Sequence, residues 1–134
     1  MIITQQDLDE VLAANPELQG NGFAPFEVGD KPTTVDLKQV DLAIRWLDYH
    51  GRRTTINPQY SSYGLKHHAE NTVPALRPSA IPYISNGAFI AAALYLSYKV
   101  SRIRGTPNAR INIRFDRKEQ AKLLEKVAVN GATG

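Results

Sequence analysis

The side chains best suited to act on a partner are cations: Arg52, Arg53, Lys66, Arg102, Arg104, Arg110 and Arg114, with Asn108 among them. Guanidinium groups donate paired hydrogen bonds to phosphate oxygens, and lysine adds a compact charge. Residues 98–115, "YKVSRIRGTPNARINIRF", hold four arginines and one lysine and no acidic residue. The chemistry expected of such a stretch is the holding of an anion.

Bond-making chemistry has no comparable set. His67 and Glu70 stand three apart, two ligands where a zinc site needs three or four. His50 is the one histidine outside the His67-His68 pair, and there is no cysteine. A Gly-rich phosphate loop, a G-x-S-x-G elbow and an acidic calcium loop are all missing from the sequence. We therefore expect no enzyme, metal or cofactor.

Charge is distributed unevenly. Residues 1–44 carry a balance of −6, residues 45–94 of +3 and residues 95–134 of +6, within a net +3. That asymmetry fits a basic surface for an anionic partner. It equally fits an acidic first third lying against a basic end. At 134 residues and 43% apolar content, one domain is expected. The start "MIITQQDLDE" lacks the basic and apolar regions of a signal peptide. The longest apolar run, "GAFIAAALYL", is about half of a bilayer span. A cytoplasmic protein without a membrane partner is the expectation.

The elements that must position the cations follow from capping and periodicity. Thr4 is placed to cap a helix bearing Leu8, Val11 and Leu12, which Asn15-Pro16 ends. Residues 20–32 read as a Gly/Pro-rich loop that tucks Phe23, Phe26 and Val28 onto the core. Thr34 is placed to cap a second helix, with Gly51 as its stop. Leu37, Val40, Ile44 and Leu47 form one apolar stripe on it; Val35, Leu42, Trp46 and Tyr49 form another, opposite. Lys38, Asp41, Arg45 and Asp48 share its polar edge. A helix apolar on two sides is central, or offers one side to a partner.

Residues 52–57 have the β-branched content of a short strand. Residues 61–71 read as a helix. Residues 72–82, with three prolines, are expected to be irregular. Ser85 caps the next helix, whose core face is Phe89, Ile90, Ala93, Leu94 and Leu96. Its outward face would be Ala88, Ala91, Ala92 and Tyr95. In "ARINIRF" the alternation sends Ile111, Ile113 and Phe115 inward and Arg110, Asn112 and Arg114 outward. "YKVSRI" alternates until Arg102 breaks the pattern, and the Gly-Thr-Pro-Asn turn joins the two strands. Asp116 and Glu119 match a capping box for a last helix with Leu123, Leu124, Val127 and Ala128 inward.

The fold class is thus α+β: a mainly helical single domain with a small antiparallel β-hairpin. The order helix, strand, helix, helix, strand, turn, strand, helix over residues 34–128 resembles the winged-helix variant of the helix-turn-helix domain. Residues 1–33 would pack on it, and 129–134 form a tail. The strings "SSYGLKHHAE" and "YISNGAFIAAAL" are also similar to stretches of small bacteriophage and mobile-element proteins. The winged-helix resemblance implies nucleic-acid binding, by a third helix in the major groove and a wing on phosphate or minor groove.

Two features depart from that family. About 14 residues would join the second and third helices, against three or four in a helix-turn-helix. The alanine face of the third helix also offers one hydroxyl where base edges need Arg, Lys, Asn or Gln. The expected binding is therefore to the phosphate backbone of nucleic acid, duplex DNA ahead of RNA, through the basic hairpin. The alternative is a protein-interaction module, an inhibitor or adaptor of a host complex or a homodimer. It would use Trp46, Ala88, Ala91, Ala92 and Tyr95.

Overall fold

A computed structural model describes residues 2–24, 33–76, 78–116, 118, 120–122 and 124–125. The chain is α+β, with helices predominating over three two-stranded antiparallel pairings. Helix α1 spans Gln5–Ala14. Thr4 caps it as expected: its hydroxyl accepts from Asp7 N–H while the Asp7 carboxylate accepts from Thr4 N–H. Strands β1 (Leu18–Gln19) and β2 (Gly22–Phe23) then form a tight hairpin where a loop was expected. Phe23 is buried as predicted; Phe26 and Val28 lie outside the described residues.

Helix α2 runs Leu37–Leu47. Its cap is Asp36, not Thr34, because Asp36 Oδ1 accepts from Gln39 N–H at 3.1 Å. Its end is Asp48, and Gly51 belongs to the next strand. Leu42, Trp46 and the Val40/Ile44/Leu47 stripe are all buried, so the helix is central. Asp41, expected on the polar edge, is buried too: it accepts from Ile2 N–H at 2.7 Å and pairs with Arg45 at 2.9 Å.

The expected strand over 52–57 shrinks to β3, Gly51–Arg52. Beyond it the chain stays beside its neighbour through asparagine: Asn57 donates to Ile111 O from its backbone and to Ile113 O from its amide. Helix α3, Ser62–Leu76, is longer than predicted and runs through Pro74, where irregular chain was expected. Leu65, Ala69 and Val73 repeat at i, i+4, i+8 and are all buried, so packing outweighs the one hydrogen bond that proline forfeits. Helix α4 is Asn86–Tyr95, capped by Ser85 as predicted.

Helix α4 is the hub, touching α1, α2, α3, the β1–β2 hairpin and β4. Its expected outward face does not exist: Ala88, Ala91 and Ala92 are each 0% exposed, like Phe89 and Ile90. A helix without charge and apolar all round belongs in the interior, where small residues let several neighbours approach at once. It ends on Ser97 (φ 62°), with Ser97 N–H bonded to Leu94 O and Tyr98 N–H to Ala93 O. This is a Schellman closure with serine in the place glycine usually takes.

Strand β4 (Val100–Arg102) pairs with β5 (Ala109–Ile111), as the predicted hairpin requires. After Asn112 the chain continues as β6 (Ile113–Arg114), which pairs with β3. Ile111, Ile113 and Phe115 point inward as expected. Asn112 does not point outward; it is buried, and its amide replaces a peptide unit on both sides. Its Oδ1 accepts from Lys99 N–H at 2.8 Å and its Nδ2 donates to Arg53 O at 2.9 Å. Its own N–H and C=O bond to Lys99 O and Arg53 N–H. Of the expected last helix, residues 118, 120–122 and 124–125 are helical; Glu119, Leu123, Val127 and Ala128 lie outside the described residues. Among the described residues no helix is long and apolar enough to cross a membrane.

Phe115, just past β6, closes an aromatic cluster with Trp46, His50, Tyr60 and His68, at ring distances of 4.8–5.5 Å. Within it the buried His50 Nε2 has no hydrogen-bond partner among the described residues. Burial lowers the His50 pKa from 6.5 to about 4. The folded state thus prefers neutral imidazole, while the unfolded chain takes up a proton below pH 6.5. Stability contributed by this site is full above pH 6.5 and is lost as pH falls toward 4. Allowing for solvent at the ring's open edge, we expect the wild type to lose about 1–2 kcal/mol more than His50→Phe between pH 7 and pH 4. Urea midpoints of the two proteins across that range would show it; parallel curves would refute it.

Candidate functional site

Which cations face a partner is decided by strand register, since directly paired residues share a face of the sheet. Arg110 pairs with Ser101 and Arg114 with Gly51, and these lie on the outer face, opposite the buried Ile111 and Ile113. Lys99 belongs to the same face by alternation with Ser101. The arginine side chain of residue 114 lies across Gly51, where an added Cβ would meet its Cβ at 3.8 Å and its Cδ at 3.9 Å. Arg104 is exposed in the turn, beside Gly105, whose φ of 76° sits at an open tip. Arg104, Arg110 and Arg114 make no side-chain hydrogen bond or ion pair with a described residue.

The other predicted cations go elsewhere. Arg102 pairs with Ala109, so it shares the inner face, which is why it broke the alternation. It caps the rim of the core, over the Phe23 ring at 4.6 Å, bonded to the Glu17 carboxylate and to Ala24 O. Arg52 pairs with Ile113 and lies on the same side of the strands, exposed but stacked on Tyr98 at 4.2 Å and bonded to Leu96 O. Tyr98 in turn shares its hydroxyl proton between Leu47 O and His50 O, closing the end of α2. Burial raises the Tyr98 pKa above its ordinary 10.0, against the opposing pull of Arg52, so the hydroxyl remains a donor.

Lys66 is buried on α3, 3.6 Å from Glu70 and between the rings of Tyr63 and Tyr83. It is remote in role from the sheet: Glu70 also takes His67 Nδ1 at 3.0 Å and Ile84 N–H at 3.0 Å, which anchors the α3–α4 connection. Asn108 accepts from the Asn86 amide at 3.0 Å, and its backbone closes the turn with Ile103. Arg53 is half-buried, its backbone held by Asn112. Strand pairing therefore places Arg110 and Arg114 on one face beside Arg53, with Arg104 at the turn beyond, and adds Lys99, whose Nζ donates to Thr54 O at 2.7 Å and which sequence reasoning missed. Its odd-numbered alternation with Ser101 was the available signal.

Of the residues expected at a protein interface, Trp46 is wholly buried and donates Nε1–H to Gln120 Oε1 at 3.1 Å. With Ala88, Ala91 and Ala92 it forms core, and Tyr95 is only partly covered. Among the described residues the exposed large apolar side chains are Ile2, Tyr49, Tyr63, Ile81 and Tyr83. Between α3 and α4 the connection is residues 77–85, shorter than expected but well beyond a helix-turn-helix link. A cavity of about 380 Å³ sits between Pro16, Phe23, Leu94 and Val100, with the Arg102–Glu17 pair at its edge. It gathers no set of groups suited to catalysis. No protein-family model, curated protein or solved structure matches the chain.

Proposed function

We propose that this is a small non-catalytic cytoplasmic protein that binds nucleic acid by its phosphate backbone, through the basic hairpin and the strand beside it. One observation carries the reading. The two segments that build this sheet, residues 49–57 and 97–115, contain seven cations and no acidic residue. Three of those cations, Arg104, Arg110 and Arg114, are exposed and have no partner among the described residues. The order of elements from α2 to β6, with β3 beside the second strand of the hairpin, is in keeping with a winged-helix-like domain. Arg104→Glu with Arg110→Glu tests it: loss of DNA binding at an unchanged melting temperature is expected. Binding that survives the double reversal would end the proposal.

A second reading, a protein-interaction module, now rests on the half-exposed Tyr63 and Tyr83 and on Ile81, which is 81% exposed. Exposed aromatic side chains of this kind suit a protein partner or a second copy. Size exclusion at two concentrations distinguishes self-association from the monomer.

A further inference from the structure

Resting on the nucleic-acid reading, we infer that the ligand is a double helix gripped by its phosphates without regard to base sequence. The outer face of the sheet is the gripping surface. Arg110 in β5 and Arg114 in β6 lie four residues apart across Asn112, at most about 13 Å at ordinary strand rise. That is close to the ~12 Å width of the major groove, so one duplex can offer a phosphate to each from opposite strands. Lys99 and Arg53 flank them, both fixed by the single Asn112 amide, and Arg104 extends the surface at the turn.

Single strands are held differently. They need aromatic rings on which bases stack, in addition to charge. Of the rings in the segments that build this sheet, Tyr98 and Phe115 are buried on the inner side, and the half-exposed Tyr49 lies in the α2–β3 connection, off the strands. Lys99, Ser101, Arg110 and Arg114 leave the outer face without one. Base-edge reading by a recognition helix has no instrument here. Helix α4 is buried from Asn86 to Ala93 and has no face to lay in a groove. The nearby amides of Asn86 and Asn112 are engaged within the fold, as is the Asn108 Oδ1. What remains are the arginines and lysine of the strands, set by strand pairing to meet phosphates, and in that use they recognise duplex form and not sequence.

Fluorescence anisotropy of the full chain with a labelled 20-base-pair duplex, a scrambled duplex, a duplex RNA and an oligo-dT of equal length tests this. We expect both DNA duplexes to bind equally, at least about tenfold more tightly than oligo-dT. The slope of log K on log salt should be near about −4 to −5 for five cations. Arg110→Glu with Arg114→Glu should weaken duplex binding by more than about tenfold. Lys38→Glu with Lys122→Glu, the same change in net charge away from the sheet, should alter it by less than about twofold. Tighter duplex RNA than DNA binding would keep the double helix and change its form. Oligo-dT bound as tightly as duplex, or a preference between the two DNA sequences, would overturn the inference and leave the nucleic-acid reading standing. No binding to any of the four at low salt would overturn both.

Discussion

Gly87→Ala is expected to destabilise the protein by about 3 kcal/mol or more, lowering the melting temperature by about 10 °C. Gly87 lies one residue into α4, where its N–H bonds to Gly20 O at 2.9 Å. A Cβ built on it would stand 1.7 Å from Gln19 O and 2.8 Å from both Gln19 C and Gly20 O. All three atoms are backbone of the β1–β2 hairpin, so no side chain can rotate away. Either α4 or the hairpin must shift, and α4 is the helix on which the rest of the core is packed. Overpacking costs commonly reach about 1–3 kcal/mol when neighbours can relax, so a contact of this kind belongs at or above that range. Thermal unfolding measured by circular dichroism checks it; a melting temperature within about 2 °C of wild type would show that the hairpin does not press on α4 as described.

The second large effect is expected from Asn86→Asp, a change of one atom. Asn86 is buried where four segments meet. Its Oδ1 accepts from Ser62 Oγ at 2.7 Å, and Ser62 Oγ accepts from Ala109 N–H at 3.0 Å. Its Nδ2 donates toward Asn21 O, Pro107 O and Asn108 Oδ1 at 3.0–3.3 Å. An aspartate keeps the first contact and turns the rest into oxygen against oxygen. Burying that carboxylate should cost about 3–4 kcal/mol at neutral pH. Those acceptors also raise the folded-state pKa of the new carboxyl above its unfolded value near about 3.9. The folded variant then binds the extra proton, so its deficit should shrink as pH falls through the folded pKa. Urea midpoints of variant and wild type, compared at each pH, remove the His50 contribution common to both. A deficit that grows toward acid would contradict the arrangement.

Much of the fold was legible because its signals are local. The Thr4 box, the Ser85 cap and the alternation of Ile111, Ile113 and Phe115 each lie within a few residues, and each stands where the sequence places it. Pro74 was misleading because its penalty is local while the burial of Leu65, Ala69 and Val73 is tertiary. The alanines of α4 were misleading for another reason. Lacking bulk, they fall on the face that the larger residues leave over, although an uncharged helix has no need of an outside.

The candidate site was legible as a composition and illegible as a surface. Arg52 and Arg102 are chemically identical to Arg110 and Arg114, and only for Arg102 does a neighbouring alternation separate them. They differ only in register, set by which residue of β3 meets which of β6 and which of β4 meets which of β5. The β3–β6 pairing joins residues some sixty apart and could not be read from any short window, whereas the β4–β5 pairing is local.

Asn112 has a consequence for the order in which the molecule assembles. The β4–β5 hairpin closes over a short turn and can form early, carrying Lys99, Arg104 and Arg110 with it. Arg53 and the docked β3 arrive only when a segment some sixty residues distant reaches the other side of the same amide. A partly folded chain therefore displays half of the cationic array, and the complete one exists only in the native state. Hydrogen exchange should find the β3 amides opening before those of the hairpin. A ligand that requires the full array would then slow that opening, and so act as a clamp on the last step of folding.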